Sequence, residues 1–340
     1  MADFNVNHIT GKQGQQGTVL AGITTVNSTG AMRIPSGPTE QRGGRGRSVT
    51  YGGAFSGSYK SEMNTIEIAT TGSAVDFGDV SKANAFGSGM ASATRGVFKQ
   101  GRVPSGGPFV DTMEYVTFSS GGGVADFGTD NGISQDSSAA SADGVRGIFG
   151  NGTGYDAVIQ SINIASTGDS STFGTLTSGR YMGGGAGGAS PTRGFFFGGL
   201  ISGQPAGEKI IETVTFASGG ESTKFGELTV GRRAIAAVTN STRAVSCSGD
   251  SPATNTMDYI TMASEGNATD FGDIANQAHG YGAGGSNATR GVITGCSPSN
   301  ANRIDYITIA TTGNATDFGD TTYQSYINGA CSDSHGGIGE

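Results

Sequence analysis

Six Phe-Gly pairs begin at Phe77, Phe127, Phe173, Phe225, Phe271 and Phe318, and the residue before each is Asp76, Asp126, Thr172, Lys224, Asp270 or Asp317. Four carboxylates at one recurring position could act as acid–base groups or as oxygen ligands for calcium. Thr172 and Lys224 take that place in the other two copies, so the recurrence reads as architecture: hydrogen bonds along a strand edge, or pairing with arginines of the next unit, worth about 0–1 kcal/mol when exposed. A second recurring group is arginine, in "TRGVF" or a relative, at Arg95, Arg146, Arg193, Arg243 and Arg290. Five guanidinium groups could ring an anion, but at a repeated turn their donors are expected to satisfy carbonyls or carboxylates of the fold itself.

Other chemistry is sparse. His8, His279 and His335 are scattered, with no nucleophile, base and orienting group in a recognisable set; His279, near the start of a small-residue stretch, could face a central channel. Cys247, Cys296 and Cys331 are odd in number and lack CxxC spacing, which indicates neither a disulfide framework nor a zinc site. Asp boxes of the sialidase type are absent. Asn27, Asn240, Asn267, Asn287 and Asn314 stand in N-x-S/T triplets, and we read them as turn asparagines. No catalytic residue, metal ligand or cofactor site is expected.

The elements that carry these residues repeat. The Phe-Gly pairs are spaced by 50, 46, 52, 46 and 47 residues, and five residues before each Phe stands a glycine: Gly72, Gly122, Gly168, Gly220, Gly266 and Gly313. Four and six residues before each glycine the chain is apolar, as in Ile309 and Ile307, an alternation that buries one face of a strand. The glycine and its polar successor suit a tight hairpin, with the Phe-Gly strand returning antiparallel. A small-residue stretch and the Arg-Gly segment supply two more strands. Four strands in about 45–50 residues match a propeller blade. Gly, Ala and Ser let inner strands crowd around a channel, and each Phe can fill the gap between blades. Arg47 opens the first copy without an inner strand before it, whereas "YQSYINGACSDSHGG" (323–337) supplies one after the last. The expected fold is all-β: a six-bladed propeller over 47–340 closed by its C-terminal strand, which leaves no open sheet edge, preceded by an extended segment, 1–46.

With 62 Gly, 8 Pro, no Trp and 14% charged residues, the composition suits many short strands and is neither collagenous nor that of a highly charged disordered chain. A net charge of −8 argues against a nonspecific nucleic-acid partner, and "EQRGGRGR" (40–47) reads as a solvated linker. The N-terminus lacks a basic region followed by an apolar run, and no apolar stretch approaches membrane-spanning length. Synthesis and folding in a reducing cytoplasm are expected.

The blade order resembles kelch repeats, with Phe where kelch carries Trp. The segment "NTMDYITMASEGNATDFGDIANQAHGYGAGGSNATRGVITGC" (255–296) more closely resembles repeats in virion structural proteins of marine tailed bacteriophages, notably cyanophages, a likeness that covers roughly 47–335. "TGAMRIPSGPTEQRGGRG" (29–46) is similar to segments near module junctions in phage fibre proteins. Together the resemblances imply a non-enzymatic virion protein that docks on other virion proteins through 1–46 and displays a propeller. A fibre or appendage component facing a host-surface glycan or protein is the leading expectation. A capsid or tail decoration protein and a polysaccharide-degrading propeller enzyme are the alternatives, and homo-oligomers on the particle are compatible with each.

Loop lengths single out one surface. Glycine-to-Phe spacing is constant, whereas the distance from Arg47, Arg95, Arg146, Arg193, Arg243 and Arg290 to the following glycine is 25, 27, 22, 27, 23 and 23 residues. Variation therefore lies between second and third strands, on the disk face that also carries the links between blades. Recognition residues commonly sit on loops held by a rigid frame. Tyr59, Phe109 and Tyr155 are the candidate contact residues, able to stack on sugar rings or a partner protein.

Overall fold

A computed structural model describes residues 46–104, 109–131, 136–150, 152–183, 187–275, 280–295 and 301–334. The expected segment 1–46 lies outside these except for Gly46, as do His8, His279, His335 and Cys296. The described residues form an all-β, six-bladed propeller without a helix.

The first blade holds β1 (Arg47–Tyr51), the short β2 (Ala54–Phe55), β3 (Ser58–Glu67) and β4 (Val75–Asn84). The second holds β5 (Ser88–Ala91), β6 (Arg95–Lys99), β7 (Thr112–Thr117) and β8 (Ala125–Thr129); the third β9 (Ala139–Ala142), β10 (Arg146–Gly150), β11 (Val158–Asn163) and β12 (Ser171–Thr175). The fourth comprises β13 (Gly187–Ala189), β14 (Arg193–Phe197), β15 (Ile210–Thr215), the two-residue β16 (Gly220–Glu221) and β17 (Thr223–Glu227). In the fifth are β18 (Ala236–Thr239), β19 (Arg243–Gly249), β20 (Thr254–Thr261) and β21 (Thr269–Asp273), and in the sixth β22 (Ala283–Ser286), β23 (Arg290–Thr294), β24 (Arg303–Thr308) and β25 (Thr316–Asp320). The last strand, β26 (Gly329–Ser332), pairs antiparallel with β1 and becomes the inner strand of the first blade.

Closure copies a turn used elsewhere in the chain. Between inner and second strands of the other blades a short polar side chain caps the turn: the backbone N–H of Arg95, Arg146, Arg193, Arg243 and Arg290 donates to Ser92, Asp143, Ser190, Asn240 and Asn287 respectively. In the first blade no peptide bond joins the two strands, yet Arg47 N–H donates to Asp333 at 2.8 Å and Gly46 N–H to the same oxygen at 3.0 Å. The seam is held by a turn motif assembled from the two ends.

The twelve apolar positions before the repeated glycines are all buried, and the core lies between blades. Phe77 clusters with Val116 and Phe118 of the second blade, Phe127 with Ile162 and Ile164 of the third, and Phe318 with Ile66 and Ile68 of the first. Each buried Phe contributes about 2 kcal/mol, and that gain requires the neighbouring blade. Inner strands approach closely enough that a Cβ on Gly89 would lie 2.3 Å from the Ala330 carbonyl oxygen.

The repeated glycines work differently from a tight hairpin. Seven residues separate Thr308 from Thr316, with the turn at Ile309–Ala310, and Gly313 instead donates its N–H to Phe271 of the preceding blade at 2.7 Å. Gly72, Gly122, Gly168 and Gly266 make the same bond to Phe318, Phe77, Phe127 and Phe225. The glycine of each Phe-Gly pair sits at a β-bulge against these residues: a Cβ on Gly226 would meet the Gly266 oxygen at 1.9 Å, and one on Gly128 the Gly168 oxygen at 2.4 Å.

Opposite each bulge the third strand carries a buried polar residue: Asn64, Glu114, Gln160, Glu212, Asp258 or Asp305. Several fasten the link from the blade before. Thr322 N–H donates to Asn64, Ser81 N–H to Glu114 and Thr177 N–H to Glu212, while the Thr229 hydroxyl donates to Asp258. Arg180 and Arg232, on two such links, form fully buried ion pairs with Glu212 and Asp258, the latter at 2.7 Å. Those links carry the residues at the mouth of the channel.

Candidate functional site

Antiparallel strands put the inter-blade links and the loops between second and third strands on one face, as expected. Main-chain bridges join the two sets directly: Ala85 with Arg102, Tyr181 with Leu200 and Arg233 with Asp250. Gly46 and the capped turns lie at the opposite strand ends, on the other face.

At the centre of the loop face the inner strands begin in a collar. The N–H groups of Phe86, Ser137, Ala234, Tyr281 and Ile327 donate to Ile327, Phe86, Met182, Ala234 and Tyr281 at 2.7–3.0 Å, so five of the six blades grip the one before them. All five donors have positive φ, between 56° and 75°. This left-handed conformation costs about 1 kcal/mol or more at each non-glycine residue and persists because the closed ring fixes it. Below the collar the inner strands enclose a cavity of about 60 Å³ lined by Gly89, Ala140, Gly188, Ala237, Gly285 and Ser332, among others. It has room for a few waters.

Over the collar, side chains from several blades converge. Phe86 and Tyr281 meet edge to face at 5.8 Å. Arg233 lies over the Tyr181 ring at 5.0 Å and pairs with Asp250 at 3.0 Å, and the Tyr281 hydroxyl is 3.4 Å from that carboxylate. Arg102 stacks over Phe86 at 5.6 Å and over Phe109 at 5.2 Å, and its Nε is 2.9 Å from the carboxylate of Asp136, which is buried. Burial raises the pKa of Asp136 against the opposing pull of Arg102, and burial holds the phenols of Tyr181 and Tyr281 in their neutral, donor form. The result is a rigid aromatic surface studded with guanidinium forks, suited to stacking and to hydrogen bonding of a polar ring.

Tyr59, Phe109 and Tyr155, the candidates singled out by loop length, stand around this centre, half-buried. Tyr59 packs in a cluster with Ala54, Ala85, Phe86, Tyr281, Tyr326 and Ile327. Phe109 lies under Arg102 and lines an open groove of about 610 Å³ with Lys82, Val103, Pro104 and Asp111. Tyr155, with φ of 55°, holds its ring 6.5 Å from that of Tyr181. Sequence reasoning missed Phe86, Arg102, Asp136, Tyr181, Arg233 and Tyr281. One register signal existed: Phe86, Ser137, Ala234 and Tyr281 each lie nine residues before the repeated arginine, where the copies change residue type.

The recurring arginines and aspartates are engaged inside the fold. Arg95, Arg243 and Arg290 donate to carbonyls of Ala165, Ala310 and Ala69 in the next blade at 2.7–2.9 Å and lie over Tyr115, Tyr259 and Tyr306. Arg146 reaches Phe216 likewise. Asp76, Asp270 and Asp317 accept N–H bonds from Gly78, Gly272 and Gly319 of their own strands. Pairing of these aspartates with the next blade's arginines does not occur in these contacts, because the arginines are aimed at carbonyls; Asp317 is 3.7 Å from Arg303 of its own blade. Among the described residues no group of three or more His, Cys, Asp or Glu is placed to hold a metal ion, and no helix is long and apolar enough to cross a membrane. No protein-family description matches this chain, and no curated protein matches it either.

Proposed function

We propose that this chain is a structural protein of a tailed-bacteriophage particle, docked through residues 1–46, whose propeller presents its loop face to the host surface. The observation that carries the reading is the division of labour between faces. Variable loops, half-exposed aromatic rings and arginines gather on the face with the channel mouth, and the chain joins the propeller at Gly46 on the other. A ring whose joints are fixed by buried polar residues and glycine contacts keeps those loops in place, the arrangement by which rigid scaffolds display recognition residues. The repeat resemblance supplies the virion setting.

Particles carrying a gold label on the loop between Leu200 and Lys209 test the orientation. Label projecting outward from a fibre or appendage is the expected image; label buried against the capsid overturns the host-facing reading. Deleting residues 1–46 is expected to leave a folded propeller missing from particles, and normal incorporation of that truncation refutes the docking role.

A further inference from the structure

We propose that Arg102, Phe109 and Lys82 form a subsite for a carboxylate-bearing sugar between the first and second blades. The inference deepens the host-recognition reading and rests on it for the biological source of the sugar. Arg102 is immobilised more completely than a surface arginine needs to be. Its backbone is bridged to Ala85 by N–H···O bonds of 2.8 and 3.0 Å in both directions. Its Nε is anchored on Asp136, and Phe86 and Phe109 both lie within 6 Å of the guanidinium carbon.

The two Nη groups accept no such duty. They make no hydrogen bond to the described residues, and the side chain is 35% exposed. Arg95, Arg243 and Arg290, by contrast, spend Nη on carbonyls, and Arg233 directs Nη2 at Asp250. A planar fork fixed by stacking and by its Nε loses little freedom when it meets a planar two-oxygen acceptor, so it is suited to a carboxylate.

The adjoining groove identifies the rest of the ligand. Val103, Pro104, Phe109 and Val110 give it an apolar wall, while Lys82, Asp111 and Thr112 put polar groups at its edge. Its volume of about 610 Å³ lies within the usual range for small-ligand sites and suits one or two pyranose rings. A pyranose has an apolar C–H face and a hydroxyl edge, and the hydroxyls can bond Asp111, Thr112 and Lys82. The chain's net charge of −8, with Asp136 beside the fork and Asp111 in the groove, repels a densely charged polymer and favours a short ligand with few anionic groups.

Digalacturonic acid, its neutral counterpart galactobiose, a sulfated galactobiose and a Glu-Glu dipeptide would be titrated into the full chain, with saturation-transfer NMR and calorimetry as readouts. Expected is binding of digalacturonic acid at least tenfold tighter than any of the other three. Arg102→Lys, which keeps the charge and removes the fork, and Phe109→Ala are each expected to weaken it at least tenfold, with unchanged melting curves. No detectable binding, equal binding of the neutral disaccharide, tighter binding of the sulfated sugar or dipeptide, or an unchanged affinity in folded Arg102→Lys would overturn the subsite. Sugar binding without attachment of the protein to host cells would count against the host-facing role and leave the subsite standing.

Discussion

Replacing Asp333 with Ala should open the ring at a predictable place and to a predictable extent. The carboxylate is 2% exposed and accepts N–H bonds from Gly46 and Arg47 at 3.0 and 2.8 Å across a seam with no covalent link. A hydrogen bond to a charged group contributes about 1.5–3 kcal/mol, so losing two at the low end costs roughly 3 kcal/mol. Cys331 on β26 reports seam opening, because it is buried, with a thiol pKa raised by that burial, and detachment of the strand exposes it. Cys247 on β19 is fully buried and reports unfolding of the fifth blade. In a Cys296→Ser background, alkylation followed by mass spectrometry should show Cys331 modified faster than Cys247, and Asp333→Ala should accelerate Cys331 roughly a hundredfold, since each 1.36 kcal/mol is a factor of ten. Asn240→Ala removes the matching cap in the fifth blade, where Thr242 and Arg243 donate at 2.9 and 2.8 Å. There the peptide chain still joins the strands, so Cys331 reactivity should stay unchanged while Cys247 speeds up. If Asn240→Ala accelerates Cys331 as much as Asp333→Ala does, or if Asp333→Ala changes nothing, the seam is not the weak joint and the closure argument fails.

Two further perturbations probe the joints between blades. Gly226→Ala places a methyl where the Gly266 oxygen lies 1.9 Å away and should cost about 1–3 kcal/mol in urea unfolding; Gly123→Ala, with no atom within 4 Å, should stay within about 0.5 kcal/mol, and equal costs would refute the close-approach explanation. Asp169 accepts the N–H and hydroxyl of Thr129, both at 2.8 Å, which lowers its pKa below the ordinary 3.8. Its stabilising contribution is therefore complete above 3.8 and lost as pH falls through the lower folded-state value. An NMR titration midpoint at or above 3.8 would contradict the inter-blade bond.

The architecture was legible because each blade repeats the same physical problem. Ile307, Ile309 and their equivalents alternate as one buried strand face must, and the missing inner strand before Arg47 pointed to β26. Glycine roles were harder to read. A glycine such as Gly266 looks like a local turn in sequence, whereas its partners, Phe225 and Gly226, belong to the preceding blade. The buried polar ring from Asn64 to Asp305 was visible as a polar residue eight positions before every glycine, but its meaning depends on links such as Ser81 and Thr177 that approach from elsewhere. The loop face was found from length variation, and Tyr59, Phe109 and Tyr155 do lie there. Arg102 and Arg233 escaped notice because they occur once each, outside the repeat, and become a site only when Asp136 and Tyr181 arrive from neighbouring blades and Phe86 from the start of an inner strand.

The loop-face reading is tested most directly by attachment of the fluorescent full chain to host cells, comparing the native sequence with a Tyr59→Ala/Phe109→Ala/Tyr155→Ala variant and with Asp270→Ala/Asp317→Ala at the ends of outer strands on the opposite face. Saturable attachment that is lost in the triple variant and kept in the double one is the predicted result. Attachment unaffected by the triple variant, with both proteins folded by melting curve, would contradict it.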